Sequence, residues 1–270
     1  MVMTKRSIIH LAICTVLCVA LARTASSTEI LPIALGEWPP YVSQSLNGYG
    51  AAPEIVMQVF AAMGVCPAFA FYPWKRAELM VKSGDVWASC PWFRTAGREM
   101  EYAFSSEPLF SSSTLIFYHA LNPALPKNLE TIGIDGLKDY RFGGVHGYYY
   151  EKFFIKGGYS YFPASSSEQA FRMLQSGRVD FVIEDSLVGK SIINKIYYKN
   201  NNILSLKTKF YVNNMYMIFP KKSKYDKKFI QEFDARLKIF KKSLLYKEIL
   251  NNYGVDADEF EHINSKFTLP

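Results

Sequence analysis

Two arginines stand close together in "CPWFRTAGREMEYAFSSEPLF", residues 90–110, where an apolar run ends. The guanidinium of arginine is a planar fork of donors that grips both oxygens of a carboxylate, so Arg94 and Arg98 are the first candidates for holding an anionic group. Spacing alone divides Arg98 between that role and an exposed position in the first turn of a loop helix. Asp185 closes "GRVDFVIED", between an apolar run and a helical one, where an aspartate is a natural N-cap whose carboxylate can also read a bound cation. Trp38 and Trp74 each follow an apolar run and precede a turn, and an indole there is wasteful unless something covers it. Tyr41 offers a further wall or a hydroxyl. Lys75 and Arg76 beside Trp74 would favour an acidic substituent if they point inward, and are otherwise solvated at a helix start.

Catalytic and metal signatures are sparse. The histidines after the first thirty residues are His119, His146 and His262, and there is no Gly-x-Ser-x-Gly elbow, His-Glu-x-x-His pair or metal-spaced cysteine pair. His146 is the one candidate acid or base, against a hydrogen-bonded loop histidine. Glu54, directly after Pro53, is read as stabilising its helix N-terminus. "DADEFEH" lacks the glycine and ligand spacing of a calcium loop and is read as a solvated tail. No metal and no cofactor is expected.

The elements that must position these residues alternate. "ILPIALG", "AFAFYPW" and "VWASCPWF" read as strands. Between them "PEIVMQVFAAMG" sets Ile55, Val56, Val59, Phe60 and Met63 at helical spacing, and "KRAELMVKSG" gives a second helix. Such alternation implies parallel strands with crossover helices. After "STLIFYHA" the segment "LNPALPKN", with two prolines and no periodicity, reads as a linker or crossing segment. The pattern then resumes with "YRFGGV", "YSYFP" and "RVDFVIED" as strands. Its helices are "YYYEKFFIKGG", one from "SSSEQAFRMLQSG" with a capping box from Ser165 to Glu168, and "SLVGKSIIN". Two similar α/β units thus lie in tandem. A lone strand, "NNMYMIFPKKS", is followed by one long helix over "DKKFIQEFDARLKIFKKSLLYKEILNNYG". Its apolar face, Phe229 to Phe240, must dock on something already built, and a return to the first unit would satisfy it.

The first 25 residues are read as a signal peptide: Lys5 and Arg6, then the apolar "SIIHLAICTVLCVALA", then small residues around Ala22. The run is short for a spanning helix. Cys14 and Cys18 follow Ile13 and Leu17, where a lipoprotein signal wants a small residue. Cleavage after Ala22 removes two bases and no acid from a chain of formal charge +7, leaving 29 basic against 24 acidic residues, or +5. Much of the excess sits on solvated-looking helix faces, and no basic run is interleaved with stacking aromatics, so nucleic-acid binding is not expected. Of the remaining cysteines, Cys66 precedes one apolar strand and Cys90 ends another, at opposite edges of a parallel sheet, so two buried free thiols are expected in preference to one bridge.

In order and spacing, "LGEWPPY", "FYPWKRAELMVKSGDV", "RTAGREMEYAFSSEPLF", "SGRVDFVIEDSLV" and "YKEILNNYG" resemble the family 3 extracellular solute-binding proteins, the periplasmic receptors for polar amino acids that serve ABC importers. The resemblance covers nearly the whole chain beyond the leader. It implies an α/β, two-lobed type II periplasmic-binding-protein fold, each lobe a mostly parallel sheet flanked by helices, joined by a two-segment hinge. Lobe 1 would be discontinuous, residues 26–118 and 213–270, and lobe 2 would span 119–212. It implies a periplasmic monomer that captures a small-molecule ligand, an amino acid or small carboxylate, and delivers it to an inner-membrane ABC permease. The alternatives are a sensor that closes in the same way without a transporter, and an enzyme of the same fold such as a dehydratase.

By the same resemblance Arg98 matches the carboxylate-binding arginine and Asp185 the ammonium-binding aspartate, while Trp38 and Trp74 pack on the ligand side chain. Arg94 is then left to solvent. Two positions depart from the family. Five residues before Arg98, where Ser or Thr helps hold the carboxylate, stands Phe93; and in "VHGYYY" Tyr148 stands where a small hydroxyl is common. Backbone N–H groups at that helix start can still hold an anion. Arg98→Ala is expected to weaken binding well over tenfold.

Overall fold

The computed structural model describes residues 29–196, 202–207, 210–221 and 227–255. The leader, His262 and "DADEFEH" lie outside the described residues.

The first unit runs β1 (Glu29–Leu35), α1 (Ala51–Ala62), β2 (Val65–Phe71), α2 (Trp74–Ser83) and β3 (Ala88–Phe93), then a short α3 (Ala96–Glu101), β4 (Tyr102–Phe104) and the long β5 (Phe110–His119). The second comprises β6 (Arg141–Val145), α4 (Glu151–Lys156), β7 (Ser160–Ala164), α5 (Ser167–Gln175), β8 (Phe181–Asp185), α6 (Ser186–Ile196) and β9 (Ile203–Ser205). β10 (Tyr211–Pro220), α7 (Lys227–Phe240) and α8 (Leu244–Asn252) complete the described chain. Within each unit the crossover strands are parallel, β2 with β1 with β3, and β7 with β6 with β8. All join in one curled path, β2-β1-β3-β10-β5-β8-β6-β7.

What joins the units differs from the sequence reading. Residues 121–128 form turns inside the second unit, where Asn122 Nδ2 donates to Asp180 at 3.1 Å. The crossings are β5 and β10, antiparallel to each other. Phe110 to Thr114 of β5 pair with β10, and Thr114 to Tyr118 pair with β8, so Thr114 faces Tyr211 on one side and Asp185 on the other. Ser111, Ser112, Ser113 and Thr114 are all buried there. Four short hydroxyl side chains without Pro or Gly extend the strand instead of breaking it, which is why the crossing carries no linker signature.

The C-terminal segment packs against the first unit, as its apolar face requires. Phe229 and Phe233 meet Phe60 of α1 at 6.1 and 5.6 Å, and Phe229 meets Trp87 at 4.6 Å, edge to face. Phe60 is fully buried, and its truncation to Ala would cost about 3–5 kcal/mol. The single long helix expected there is two. The first stops at Phe240; Ser243 caps the second by accepting from Tyr246 N–H at 3.2 Å, and Tyr246 Oη donates to Leu109 O at 2.7 Å. The capping box at α5 is one residue later than expected: Ser166 accepts from Gln169 N–H at 3.2 Å, and Gln169 Oε1 reaches back to Ser165 N–H at 2.6 Å. Both cysteines among the described residues are free. Cys90 is buried in the central β3, but Cys66 is exposed, because β2 is the edge strand of the path.

Candidate functional site

The carboxyl ends of β1, β3, β6 and β8 converge on a cavity of about 500 Å³ between the two units. In open α/β sheets this is the edge where ligands bind, because helix starts and strand-ending turns deliver side chains there.

On the first-unit side, β1 ends at Leu35 and the chain turns back so that Trp38 N–H donates to Val42 O at 2.7 Å. Trp38 stacks on Tyr41 at 4.4 Å and meets Phe93 edge-on at 6.0 Å. The Trp74 indole lies across Gly36, where a Cβ would come within 2.3 Å of the ring, and its Nε1 donates to Glu37 O at 3.1 Å. Thr95 caps α3 by accepting from Arg98 N–H at 3.3 Å, which turns the Arg98 side chain back under β3. The guanidinium donates from Nη1 to Phe93 O at 3.2 Å, from Nε to Glu78 Oε1 at 3.3 Å, and lies 4.7 Å over the Trp92 ring. Glu78 also takes Lys75 Nζ at 3.1 Å.

On the second-unit side, Gly144 leaves room for Tyr150, whose ring would stand 2.7 Å from a Cβ placed there. Tyr148 and Tyr149 follow a turn at His146 and Gly147. Tyr149 lies 4.5 Å from Phe93 across the cleft, and its hydroxyl is hydrogen-bonded to Thr114 and accepts from Asn213 Nδ2 at 2.9 Å. Burial raises the Tyr148 and Tyr149 phenols above the usual tyrosine range. Asp185 Oδ1 accepts from Leu187 N–H and Val188 N–H at 2.9 and 3.2 Å, capping α6, and the carboxylate also accepts from Tyr41 Oη at 3.0 and 3.1 Å. Glu184 Oε1 accepts from Asp185 N–H at 2.8 Å, while its Oε2 is buried with no hydrogen-bond partner. Burial pushes both carboxyls up, each to about 7, with the Asp185 charge adding to the effect on Glu184.

Arg98, Asp185, Trp38, Trp74, Phe93 and Tyr148 all line the cavity. Tyr41 does not. It is buried behind Trp38, where it stacks on Phe110 at 5.1 Å and joins the two units through Asp185; its other side borders a second hollow of about 310 Å³. Arg94 stays outside the cavity, donating to Ser105 O at 2.6 Å with its guanidinium 4.3 Å over Tyr216, so it fastens the loop after β4 while one side meets solvent. Lys75 lines the rim, exposed to solvent, whereas Arg76 lies 5.1 Å over Tyr72, away from the cavity. His146 also lines the rim, exposed, with Nδ1 3.0 Å from Glu151 Oε1; Glu151 Oε2 accepts from Gly147 N–H at 2.7 Å. The helix start that could have held an external anion is therefore occupied by the protein's own carboxylate. Glu54 is in the first turn of α1 and does not line the cavity.

Sequence reasoning missed Glu78, Trp92, Thr114, Tyr149 and Tyr150 as lining residues. The run of three tyrosines was the one available signal; the pairing of Glu78 with Arg98, twenty residues apart, had none. Among the described residues no three His, Cys, Asp or Glu side chains cluster to hold a metal ion, and no helix is long and apolar enough to cross a membrane.

Neither a family model nor a curated protein matches the sequence. Solved structures match throughout the described fold. A histidine kinase sensor domain with similarity to periplasmic binding proteins is 18% identical, covering 86% of this chain and 98% of that one, with a TM-score of 0.70. EhuB in complex with hydroxyectoine is 21% identical, covering 86% and 91%, at 0.68. The GluR0 ligand-binding core from Nostoc punctiforme, in complex with L-glutamate, is 18% identical, covering 84% and 100%, at 0.66. The fold is therefore the two-lobed α/β architecture of periplasmic binding proteins.

Proposed function

We propose that this chain is an exported solute-binding protein that captures a small polar ligand between its lobes and delivers it to an inner-membrane ABC permease. The cavity carries this reading: side chains from the strand ends of both units converge on one space of a size suited to a small molecule. The lobes divide within β5 and β10, close to residues 118 and 213, and both crossing strands act as the hinge. Lobe closure is the working step, since a ligand touching both walls shifts the open and closed populations toward the closed form that a partner recognises. Arg98, Asp185, Trp38, Trp74, Phe93 and Tyr148 face the ligand, and Tyr41 supports Asp185 from behind. Binding without catalysis, a monomeric state and export to the periplasm through the leader belong to the same reading.

Thermal unfolding of the exported chain against amino acids, amines, dicarboxylates and small peptides tests it, because a ligand that binds the native state raises Tm in proportion to its excess over Kd. A saturable shift is expected with at least one class; none with any would remove the binding reading. The likeness to a histidine kinase sensor domain favours a second reading, in which the same closure signals without import. Genes for a permease and an ATPase beside this one would decide for transport, and a gene for a membrane kinase for sensing.

A further inference from the structure

Resting on the binding-protein reading, we propose that the cleft selects its ligand by a positively charged organic ammonium head, seated against Glu184 within aromatic walls, and requires no carboxylate on the ligand. The cations that would hold a carboxylate already face an anion of their own lobe. Arg98 gives Nε to Glu78 and Nη1 to Phe93 O, and Lys75 reaches the same Glu78. Gly147 N–H is taken by Glu151, and Phe93 lines the Arg98 wall with an apolar ring.

The acids are in the opposite condition. Among the described residues neither Glu184 nor Asp185 pairs with a Lys, Arg or His; Glu184 is 1% exposed, its polar neighbours are Asp185 N–H and the Ser167 hydroxyl, and Oε2 makes no well-formed hydrogen bond. A buried carboxylate in that state is unfavourable until a cation arrives, so the cavity is built to reward one. The remaining walls suit the same guest. Trp38, Trp74, Trp92, Phe93 and Tyr148 line the space, and aromatic faces attract ammonium groups, methylated ones included, without needing an N–H to each ring.

Calorimetric titration of the full chain, expressed with its own leader, distinguishes the possibilities through matched pairs: arginine against agmatine, lysine against cadaverine, glycine betaine against choline. The expected result is that at least one amine lacking the carboxylate binds within about threefold of its partner or more tightly. Glu184→Gln should weaken that binding at least tenfold while Tm holds or rises. Binding of carboxylated members without their decarboxylated partners, or of dicarboxylates, would overturn the inference and leave the binding-protein reading standing. Unchanged amine affinity in Glu184→Gln would likewise overturn it, assigning Glu184 to structure alone. Silence from all six compounds, together with silence across the wider thermal panel, would bring down the binding reading and this inference with it.

Discussion

The two walls of the cleft treat charge in opposite ways. On the first-unit wall Arg98 and Lys75 share the single carboxylate of Glu78, so each cation has an anion beside it and one positive charge stays in excess before any ligand enters. On the second-unit wall Glu184 and Asp185 are adjacent, buried and without a cation, and burial raises both toward neutral pH. One wall sets an anion of its own beside each cation, and the other has left its acids open to a guest. A residue's type therefore says little about recognition until its partners are known: Arg98 is an arginine in a cleft, yet much of its hydrogen-bonding fork is directed at its own lobe.

The largest test of that contrast is Asp185→Ala. It removes the cap of α6, the Tyr41 bond between the units and half of the acidic wall, so ammonium binding should fall by about 2–5 kcal/mol in a calorimetric titration. Capping loss alone should lower stability by about 1 kcal/mol, readable as a drop of roughly 2–4 °C in Tm. Asp185→Asn, which keeps the cap acceptor, should recover most of the Tm and little of the affinity.

Glu184→Gln separates binding from stability in the other direction. A carboxyl whose pKa is raised in the folded protein binds more protons there than in the unfolded chain, so stability falls as pH rises from the ordinary carboxylate range to about 7. The groups facing Glu184 are Asp185, the Ser167 hydroxyl and the Tyr148, Tyr149, Tyr150 and Tyr161 phenols, none of which titrates in that window except Asp185. Denaturant midpoints measured from pH 5 to 8 should decline in the native protein and decline less in Glu184→Gln. At pH 8 the variant should be the more stable, by about 1 kcal/mol, since a buried unpaired charge has gone. Amine affinity should run oppositely, tightening between pH 6 and 8 as the carboxyls ionise.

Smaller effects are expected from the walls themselves. Replacing Trp38 or Trp74 with Leu should weaken binding of a methylated ammonium by about 0.5–2 kcal/mol, the loss of a cation–π face, with little change in pH dependence. The smallest should come from Arg98→Ala. If its fork serves Glu78 and Phe93 O, amine affinity should stay within about threefold, a change of roughly 0.7 kcal/mol. A loss well over tenfold for a carboxylated ligand, with none for its carboxylate-free partner, would instead restore the carboxylate role that resemblance had suggested for Arg98, and would erase the contrast between the walls.

Much of the fold was legible because it rests on local periodicity. Ile55, Val56, Val59 and Phe60 at helical spacing wrote α1, and the Phe229 to Phe240 face predicted a docking partner that proved to be Phe60 and Trp87 of the first unit. That the crossings are continuous strands was not legible, because Ser111 to Thr114 carry no linker signature while the prolines of 121–128 mark only a turn. Of the candidate site, Asp185, Trp38 and Trp74 were singled out by their positions at strand ends, a one-dimensional property, whereas Arg98, Phe93 and Tyr148 were reached through the family resemblance. Tyr41 was drawn behind the wall because its turn packs the ring against Phe110, and no local pattern announces such a choice.

By itself, then, the amino-acid sequence determined the alternation of strands and helices, the two tandem units and the set of polar and aromatic residues delivered to the strand ends. Periodicity, caps and turn residues act over a few positions and can be read there. Tertiary structure alone decided which charges cancel and which stay open. Pairing Arg98 with Glu78 and denying Glu184 any cation depend on distances between elements remote in sequence and on the loss of water around them, and neither burial nor charge compensation is a property of a residue considered alone.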